Sequence, residues 1–409
     1  MIFFGFAEDF LYPVHLAILL YILEVAFPRS FMFDQIYPHP TWVEVDLGQF
    51  QKNIEIIRGN IGKSLFCLPV KGNAYGHGIV QITKAAVDAG VDCFAVSCLQ
   101  EGVKLRQVGI QIPILVAGAI HEDQVVDLIH FNLEFAISSK FKADVVAKSC
   151  QKLQRKCRVH LEVDTGMHRT GVRCSTAIDL FQHLKSFGCF EIAGIYSHLA
   201  TGERPDDPIA ERQIALFEEM LRHPVFRSEK LVRHIANSNG VLHFPKGRMD
   251  MVRPGLMVFG YLPENAPEAF KEIKPCFSLK SKVSYFKVVA KGEGISYGHT
   301  YITSKQTRIV TVPIGYGDGY LRALSNRSSV LIRGKRFPIA GAICMDQFMV
   351  DVGDQEVYVG DEVVLIGKQG DEEVTLQEVS RLCDTIPYEI LCLLNERIPR
   401  FYLKPKACP

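Results

Sequence analysis

The sequence predicts an α/β fold in which a (β/α)8 barrel is followed by a mainly β C-terminal domain. Eight short apolar runs alternate with helix-compatible stretches between residues 65 and 252, which is the pattern of repeated βα units. After residue 266 the pattern changes to β-rich runs broken by Gly and Asp, which is typical of a separate β domain. We therefore expect three segments: an apolar N-terminal extension of unknown role at 1–40, the barrel at 41–265 and the β domain at 266–409.

The first regular element is a strand predicted at 41–47, where apolar and polar residues alternate, and we expect it to associate with the β domain. The barrel strands are then predicted at 65–70, 93–97, 112–117, 133–137, 159–163, 192–197, 234–237 and 249–252. Helix-compatible stretches separate them at 79–89, 124–130, 140–151, 177–187 and 208–222. In the β domain only 375–383 has a helical pattern.

The composition is that of a globular protein, with 48% hydrophobic and 22% charged residues among 409. The 46 Lys and Arg residues nearly balance the 45 Asp and Glu residues, so the chain as a whole lacks the basic excess that nucleic-acid binding requires. The twelve cysteines include no C-x-x-C pair. We interpret them as reduced, mostly buried thiols of a cytoplasmic protein, and we predict no metal site.

The segment 10–27 is strongly apolar, but it lacks the features of an export signal or membrane anchor. No Lys or Arg precedes Arg29, and Pro13, His15 and Glu24 interrupt the apolar residues. Its longest unbroken part, 16–23, is far shorter than the roughly 20 residues that span a bilayer. An accessory helix or a start site placed too far upstream is therefore favoured over membrane association.

The first residues with recognisable chemistry directly follow the first barrel strand. Lys71 stands at the carboxyl end of that strand, where a side chain faces the barrel mouth and a desolvated amine can form a Schiff base. Taken alone this lysine has little weight, because a lysine in a turn usually lies on the surface. Gly76 and Gly78 beside Tyr75 and His77 indicate a close approach of backbone to a ligand, as in a phosphate cradle.

Ten short motifs occur in order along the chain: VKGNAYGHG (70–78), DTGMHRTG (164–171), GIYSHLA (194–200), HIANSNG (234–240), VRPG (252–255), SYGHTY (296–301), GYGDGY (315–320), CMDQ (344–347), YEILC (388–392) and RIPR (397–400). With these motifs the sequence resembles the alanine racemases, enzymes that use pyridoxal 5'-phosphate (PLP) and combine a (β/α)8 barrel with a C-terminal β domain. The resemblance covers residues 42–402. It implies a homodimer that interconverts L-alanine and D-alanine for peptidoglycan precursors.

By this resemblance Lys71 carries PLP as the internal aldimine and is one of two α-proton bases. Tyr297 is the other, although on the residues alone a packed tyrosine is the simpler interpretation. Two bases are needed because the proton must leave one face of a planar carbanion, formed from the external aldimine, and return to the other. Arg253 is implied to donate to the pyridine nitrogen, and His198 to link Arg253 to Tyr297.

The resemblance also implies how the cofactor phosphate and the substrate are held. The phosphate-binding residues are Ser238, the backbone of Gly255 and Leu256, and the hydroxyls of Tyr75 and Tyr388. Arg169 and the backbone of Met345 would bind the substrate carboxylate, and Tyr316 would narrow access to the site. In the family the counterparts of Tyr297 and Met345 come from the partner chain, so two active sites are shared across the homodimer.

Three positions depart from the family pattern. Glu162 stands where many members have a lysine that is carbamylated to position the arginine seven residues later, here Arg169, and a glutamate already offers a carboxylate there. Asn239 and Pro387 replace the usual Ala and Asn.

Several other functions remain open on the sequence alone. A broader racemase of small amino acids such as serine fits the same motifs. A PLP-dependent decarboxylase is disfavoured because the chain has no Gly-Gly-Gly phosphate loop. A non-catalytic PLP-binding protein is disfavoured by the β domain, and a barrel without cofactor leaves the matched polar motifs unexplained.

Overall fold

The computed structural model describes residues 39–404, and the predicted N-terminal extension lies outside them apart from its last two residues. Eight parallel strands form a nearly closed barrel and confirm the predicted fold. After a first strand β1 (Trp42–Asp46), the barrel strands are β2 (Leu65–Pro69), β3 (Cys93–Val96), β4 (Ile114–Val116), β5 (Glu134–Ile137), β6 (Cys157–Asp164), β8 (Phe190–Tyr196), β9 (Val232–His234) and β10 (Met251–Val252). The short strand β7 (Val172–Arg173) pairs with the end of β6.

The ring closes between β9 and β10 through backbone hydrogen bonds from Asp250 N to Arg233 O, 3.1 Å, and from Arg253 N to Ala236 O, 2.9 Å. The seventh barrel strand lies at Val232–His234 and not at the predicted 234–237. Asn237 already caps the following helix, since its side chain accepts a 3.0 Å hydrogen bond from Gly240 N. The capping geometry therefore ends the strand earlier than the apolar run suggests.

The described chain has nine right-handed α-helices in the barrel domain. The first, α1 (Leu47–Asn60), precedes the barrel strands, and the other eight lie between them: α2 (Ile79–Asp88), α3 (Leu99–Gln107), α4 (Val125–His130), α5 (Lys140–Leu153), α6 (Cys174–Ser186), α7 (Pro208–Leu221), α8 (Pro224–Arg227) and α9 (Ser238–His243). Several begin at a side-chain cap that the sequence shows. The side chains of Asp46, Ser139 and Asp207 accept backbone hydrogen bonds at the starts of α1, α5 and α7. Pro208 then occupies the first position of α7, where a missing N–H has no cost.

As far as residue 404, the β domain contributes eleven strands: β11 (Phe277–Lys282), β12 (Tyr285–Val289), β13 (Gly294–Ile295), β14 (Tyr301–Ile302), β15 (Thr307–Val312), β16 (Ser329–Ile332), β17 (Lys335–Pro338), β18 (Phe348–Gly353), β19 (Glu362–Gln369), β20 (Glu372–Val374) and β21 (Arg400–Leu403). The main sheet has the order β17-β16-β19-β11-β1-β21, and β20 pairs with β19. A second sheet is β12-β15-β18, and β13 pairs with β14. The strand that precedes the barrel is thus part of the C-terminal sheet.

The described part of the β domain contains two α-helices, α10 (Leu376–Leu382) and α11 (Pro387–Leu393), where the sequence pattern predicts only the first. Pro387 stands at the first position of α11, so this departure from the family pattern is a helix start. Within residues 39–404, no helix combines the length and the apolar character that crossing a bilayer requires.

Candidate active site

A cavity of about 480 Å³ lies at the carboxyl ends of the barrel strands, where barrel enzymes place their chemistry. Eight of the predicted site residues line it: Lys71, Tyr75, Arg169, His198, Ser238, Arg253, Gly255 and Tyr388. They come from loops spread over more than 300 residues of sequence, and α11 of the β domain supplies one of them. The barrel topology therefore brings most of the predicted site together in a single chain.

Lys71 begins a turn with an unusual backbone. Gly72, Asn73 and Ala74 have φ angles of 62°, 54° and 53°, and Tyr75 follows at 52°. A left-handed conformation costs roughly 1–2 kcal/mol for each residue other than glycine, so the surrounding structure must hold the turn. Two hydrogen bonds from β21 help to hold it. Arg400 Nε donates to Gly76 O at 3.2 Å, and the Tyr402 hydroxyl donates to His77 O at 3.1 Å.

The interpretation of Gly76 and Gly78 as a phosphate cradle is wrong. A Cβ atom on Gly76 would lie 2.1 Å from the Leu391 carbonyl oxygen, and one on Gly78 would lie 1.8 Å from the Tyr402 hydroxyl. These glycines allow close packing against α11 and β21. They fix the lysine turn against the β domain, and neither of them lines the cavity.

One end of the cavity is lined by hydrogen-bond donors without a charge. Gly255 N donates to Ser238 Oγ at 2.9 Å, and the rings of Tyr75 and Tyr388 are 5.7 Å apart. Burial raises the pKa of both tyrosines, so their hydroxyls stay protonated and can donate. Leu256 is buried and opens the short 3₁₀ turn Leu256–Phe259, with its side chain in the core. Neutral O–H and N–H groups in this arrangement suit a phosphate group.

Arg253 lies at the base of the cavity with only 6% of its surface exposed. Its Nη2 donates to Ser197 O at 2.7 Å and to Ile235 O at 3.3 Å, and it lies 3.3 Å from His198 Nδ1. Burial lowers the pKa of Arg253, but guanidinium starts from so high a value that it stays protonated. Burial and then the charge of Arg253 lower the pKa of His198 to about 3, so this histidine is neutral.

A chain of buried polar side chains continues from Arg253 through the barrel interior, and sequence analysis did not identify it. Arg253 Nη1 donates to His234 Nδ1; His234 Nε2 lies 3.0 Å from His160 Nδ1, and His160 Nε2 lies 2.9 Å from Glu134 Oε2. A guanidinium only donates hydrogen bonds and a carboxylate only accepts them. Each of the two histidines, when neutral, accepts at Nδ1 and donates from Nε2, so every hydrogen bond in the chain points from Arg253 towards Glu134. Burial and the charge of Arg253 lower the pKa of His234, which agrees with a neutral ring.

The chain ends at Glu134, whose carboxylate lies 3.3 Å from Arg158 Nε. Burial opposes ionisation, yet the hydrogen bond from His160 and the charges of Arg158 and Arg106 lower the pKa of Glu134. Arg253 is thereby held in one orientation by acceptors on several strands. Polar residues inside otherwise apolar strand runs, here Glu134, His160 and His234, are the sequence signal that could have identified this network.

The three remaining predicted site residues do not reach this cavity within one chain. Tyr297, Met345 and Tyr316 are 73%, 55% and 44% exposed. Tyr297 and Met345 line a different depression, in the β domain. Tyr316 belongs to the same loop cluster, since its N–H donates to Cys344 O at 3.1 Å. The single chain therefore separates Lys71 from Tyr297, and the predicted link from His198 to Tyr297 is not made within it.

Comparisons with known proteins agree with this geometry. The family models described as alanine racemase, N-terminal domain, and alanine racemase, C-terminal domain, match residues 45–263 and 276–402. The chain belongs to the alanine racemase family. It is 40% identical over 365 residues to the alanine racemase of Symbiobacterium thermophilum, covering 89% of this chain and 97% of the relative. It is also 40% identical over 368 residues to that of Carboxydothermus hydrogenoformans, covering 89% and 100%.

Solved structures of alanine racemases have the same fold. That of Clostridium difficile 630 superposes with a TM-score of 0.85 at 32% identity, covering 90% of this chain and 97% of the other. The alanine racemase from E. faecalis gives a TM-score of 0.83 at 36% identity, covering 89% and 98%. The chain is therefore an enzyme of the racemase class, with the domain order of its relatives.

Glu162, the departure from many alanine racemases, is buried beside the cavity. Its Oε1 accepts a 2.6 Å hydrogen bond from Thr170 Oγ1. Burial raises the pKa of Glu162, while Thr170 and the charge of Arg169 oppose that shift. Within the described chain no ion pair joins Glu162 to Arg169 directly. The carboxylate instead fixes the adjacent Thr170 and so the loop that carries Arg169.

We expect Glu162→Gln to raise the KM for alanine about tenfold, because a charge-assisted hydrogen bond near Arg169 is replaced by a weaker neutral one. The kcat should change less, since Glu162 is not one of the proposed bases. Steady-state kinetics of the purified variant in both directions test this expectation. Because the wild-type carboxylate is built in, adding bicarbonate should leave its activity unchanged; activity that rises with bicarbonate would contradict this role.

His77 provides a prediction about acid stability. Burial lowers the pKa of His77 to about 4. The 2.8 Å hydrogen bond between its Nδ1 and Tyr75 O raises the pKa and so opposes part of this shift. The unfolded chain protonates its histidines near pH 6.5, so the stabilising contribution is present above that pH and is lost as the pH falls towards 4. The loss amounts to about 3 kcal/mol for this one group.

The variant His77→Asn keeps a donor to the Tyr75 carbonyl and removes the titrating ring. Urea unfolding at several pH values should show that the unfolding free energy of the variant falls less steeply between pH 6.5 and 4. The slopes of unfolding free energy against pH should differ by the equivalent of nearly one bound proton. Parallel pH profiles for the variant and the wild type would show that His77 is already charged in the folded protein.

Proposed function

We propose that the chain interconverts L-alanine and D-alanine, using PLP bound in the barrel cavity and a homodimer with two shared active sites. The relatives named alanine racemase support the substrate, and the chemistry of the cavity supports the cofactor. The observation that carries the proposal is the convergence of Lys71, the buried Arg253 and an uncharged donor cluster on one cavity.

The residues present fit PLP group by group. PLP has an aldehyde, a phosphate and a pyridine nitrogen. The Lys71 amine can bind the aldehyde, and Arg253 can donate to the ring nitrogen. The phosphate can accept hydrogen bonds from the donor groups of Tyr75, Ser238, Gly255 and Tyr388. Space there is limited, since a Cβ atom on Gly255 would lie 2.8 Å from the Tyr75 hydroxyl. The volume of about 480 Å³ is within the range of small-molecule sites.

When bound, PLP supplies an electron sink that stabilises the negative charge left on the α-carbon after its proton is removed. The remaining chemistry is proton transfer by side chains of the protein. Lys71 Nζ takes or returns the α-proton on one face of the substrate. The phenolic oxygen of Tyr297 does so on the other, because inversion requires that the proton leave one face and arrive at the opposite one.

Arg253 and its histidine chain set the electronic environment. A guanidinium keeps its proton, so it offers a hydrogen bond to the ring nitrogen without protonating it. His198, His234 and the carbonyls of Ser197 and Ile235 surround Arg253 with acceptors and prevent it from turning away. The charge near the cofactor therefore stays fixed while the α-proton moves.

Arg169 is exposed at the cavity and is the cation available for the substrate carboxylate. The backbone N–H of Met345 and the ring of Tyr316 belong to the exposed loop cluster of the β domain. In a symmetric dimer that cluster can cover the open barrel mouth of the partner, which is also where Lys71 is exposed. Dimerisation would then exclude water from each of the two sites and bring Lys71 of one chain together with Tyr297 of the other.

The proposal is tested by incubating the PLP-loaded protein with L-alanine and measuring D-alanine by chiral chromatography. Racemisation should approach equal amounts of both enantiomers without release of carbon dioxide, whereas carbon dioxide would indicate decarboxylation. The same assay with L-serine separates a strict alanine racemase from a broader one, since selectivity for one small group is worth only about 1–3 kcal/mol. If the D-alanine serves peptidoglycan synthesis, expressing the chain should relieve a bacterial strain of its need for added D-alanine.

A further inference from the structure

Three cysteines meet at the amino-terminal end of two barrel strands, opposite the end that carries the cavity of Lys71. Cys150 is on the last turn of α5, Cys157 begins β6 and Cys189 directly precedes β8. The Sγ atoms of Cys150 and Cys157 are 3.4 Å apart, and Cys157 N donates to Cys189 O at 3.1 Å. All three are free thiols, so this end of the barrel holds a compact thiol cluster.

The geometry of the α5–β6 connection keeps the first two thiols together. Gln154 ends α5 in the left-handed conformation, with φ 52°, and Arg155 N donates to Cys150 O at 3.1 Å. This cap leaves only 154–156 between the helix and the strand. Cys150 and Cys157 are 1% and 6% exposed, so close approach of their sulfurs is enforced by packing and not by chance contact on the surface.

A depression of about 610 Å³ beside the cluster gives access from solvent. Cys150 and the half-buried Cys189 line it together with Lys148, Arg155 and Lys156. Its one carboxylate, Asp144, is paired with His183 Nε2 at 2.6 Å. Cationic side chains around a thiol favour the thiolate over the thiol.

We propose that Cys150 and Cys157 are a peroxide-reactive pair that closes to a reversible disulfide. The Cys150 thiolate attacks hydrogen peroxide, the O–O bond breaks, Cys150 becomes a sulfenic acid, and the departing hydroxide takes up the proton that the thiol released. The Cys157 sulfur then attacks the Cys150 sulfur, the S–O bond breaks, and water leaves with the Cys157 proton. In sum, two thiols and one peroxide give one disulfide and two waters, with two electrons passing from sulfur to oxygen.

The electrostatics of the cluster support Cys150 as the attacking group. The neighbouring thiols of Cys157 and Cys189 can donate to its thiolate and lower the pKa of Cys150, although burial opposes this. A second pair of neighbouring thiols, Cys67 and Cys93 in the barrel core, behaves differently. There the hydrogen bond with Cys67 and burial both raise the pKa of Cys93. Cys150 therefore ionises more readily near neutral pH than an ordinary cysteine does.

The experiment treats the PLP-loaded wild-type protein with equimolar hydrogen peroxide at pH 7, alkylates the remaining thiols in denaturant and maps the tryptic peptides by mass spectrometry. Lys152, Arg155 and Lys156 lie between the two cysteines, so a disulfide appears as two joined peptides that lack two hydrogen atoms. We expect this species to dominate, to form about tenfold faster than oxidation of Cys383, and to disappear on reduction with dithiothreitol. Cys383 is the internal reference because burial raises its pKa.

Two variants locate the reaction. Cys150→Ser should abolish the joined peptides and slow peroxide consumption, while Cys383→Ser, the matched control, should leave both unchanged. The mapping of the wild type decides the question even if Cys150→Ser folds poorly. The proposal is overturned if the folded wild type gives no joined peptides, if Cys150 is oxidised only to sulfinic acid, or if the joined peptides form only in denaturant. None of these readouts depends on racemase activity.

Discussion

Lys71→Ala should lose racemisation in both directions together with the covalent bond between protein and PLP. No other base then serves its face of the substrate, and general acid–base catalysis alone contributes about 10²–10⁴-fold. Loss of the covalent cofactor linkage lowers the rate further. The side chain is exposed in the single chain, so its removal should not disturb the core.

The measurements are chiral analysis of alanine and the visible absorbance of bound PLP. Lys84→Ala, a change at an exposed lysine on α2, is the matched control and should keep both. If borohydride still fixes PLP to the Lys71→Ala protein under native conditions, another lysine is the anchor and the assignment is wrong.

Tyr297→Phe should reduce racemisation about 10²–10⁴-fold but retain proton exchange at the α-carbon on the face served by Lys71. Lys71 can still remove and return the α-proton on its own face, so one enantiomer should exchange its α-hydrogen with deuterated solvent without inversion. The other enantiomer should exchange slowly. Because Tyr297 is 73% exposed in the single chain, the hydroxyl is not needed for folding of the β domain.

Proton NMR of L-alanine and D-alanine in deuterated water measures this asymmetry directly. Tyr285→Phe, which alters another exposed tyrosine of the β domain, should behave as the wild type. Equal loss of exchange from both enantiomers in Tyr297→Phe would show that Tyr297 does not act as a base for a single face.

The fold could be predicted largely from the sequence because the signals are local. An apolar run such as 65–70 yields β2 at Leu65–Pro69, and the helical stretch 79–89 yields α2 at Ile79–Asp88. The exceptions also have local causes. Asn237 caps a helix and shortens the seventh strand, and Pro387, a residue that breaks helices when it is internal, stands at the first position of α11.

The site is less predictable because it depends on alignment across strands. The residues of the cavity were identified through the family resemblance, whereas the chain from Arg253 to Glu134 requires the register of β5 with β6 and of β8 with β9. Gly76 and Gly78 were misinterpreted because sequence shows that a glycine is needed but not what approaches it. The thiol cluster depends in the same way on β6 meeting β8 near Cys157 and Phe190.

The central claim is that one functional site combines Lys71 of one chain with Tyr297 of the other, and a mixed dimer tests it most directly. The Lys71→Ala and Tyr297→Phe proteins, each nearly inactive alone, are unfolded together and reassembled with PLP. Half of randomly formed dimers are mixed, and each mixed dimer has one site with both bases, so about one quarter of wild-type racemisation should return by symmetry. Recovery near that value is the expected result; no recovery, with mixed dimers verified by mass spectrometry, would contradict the shared site.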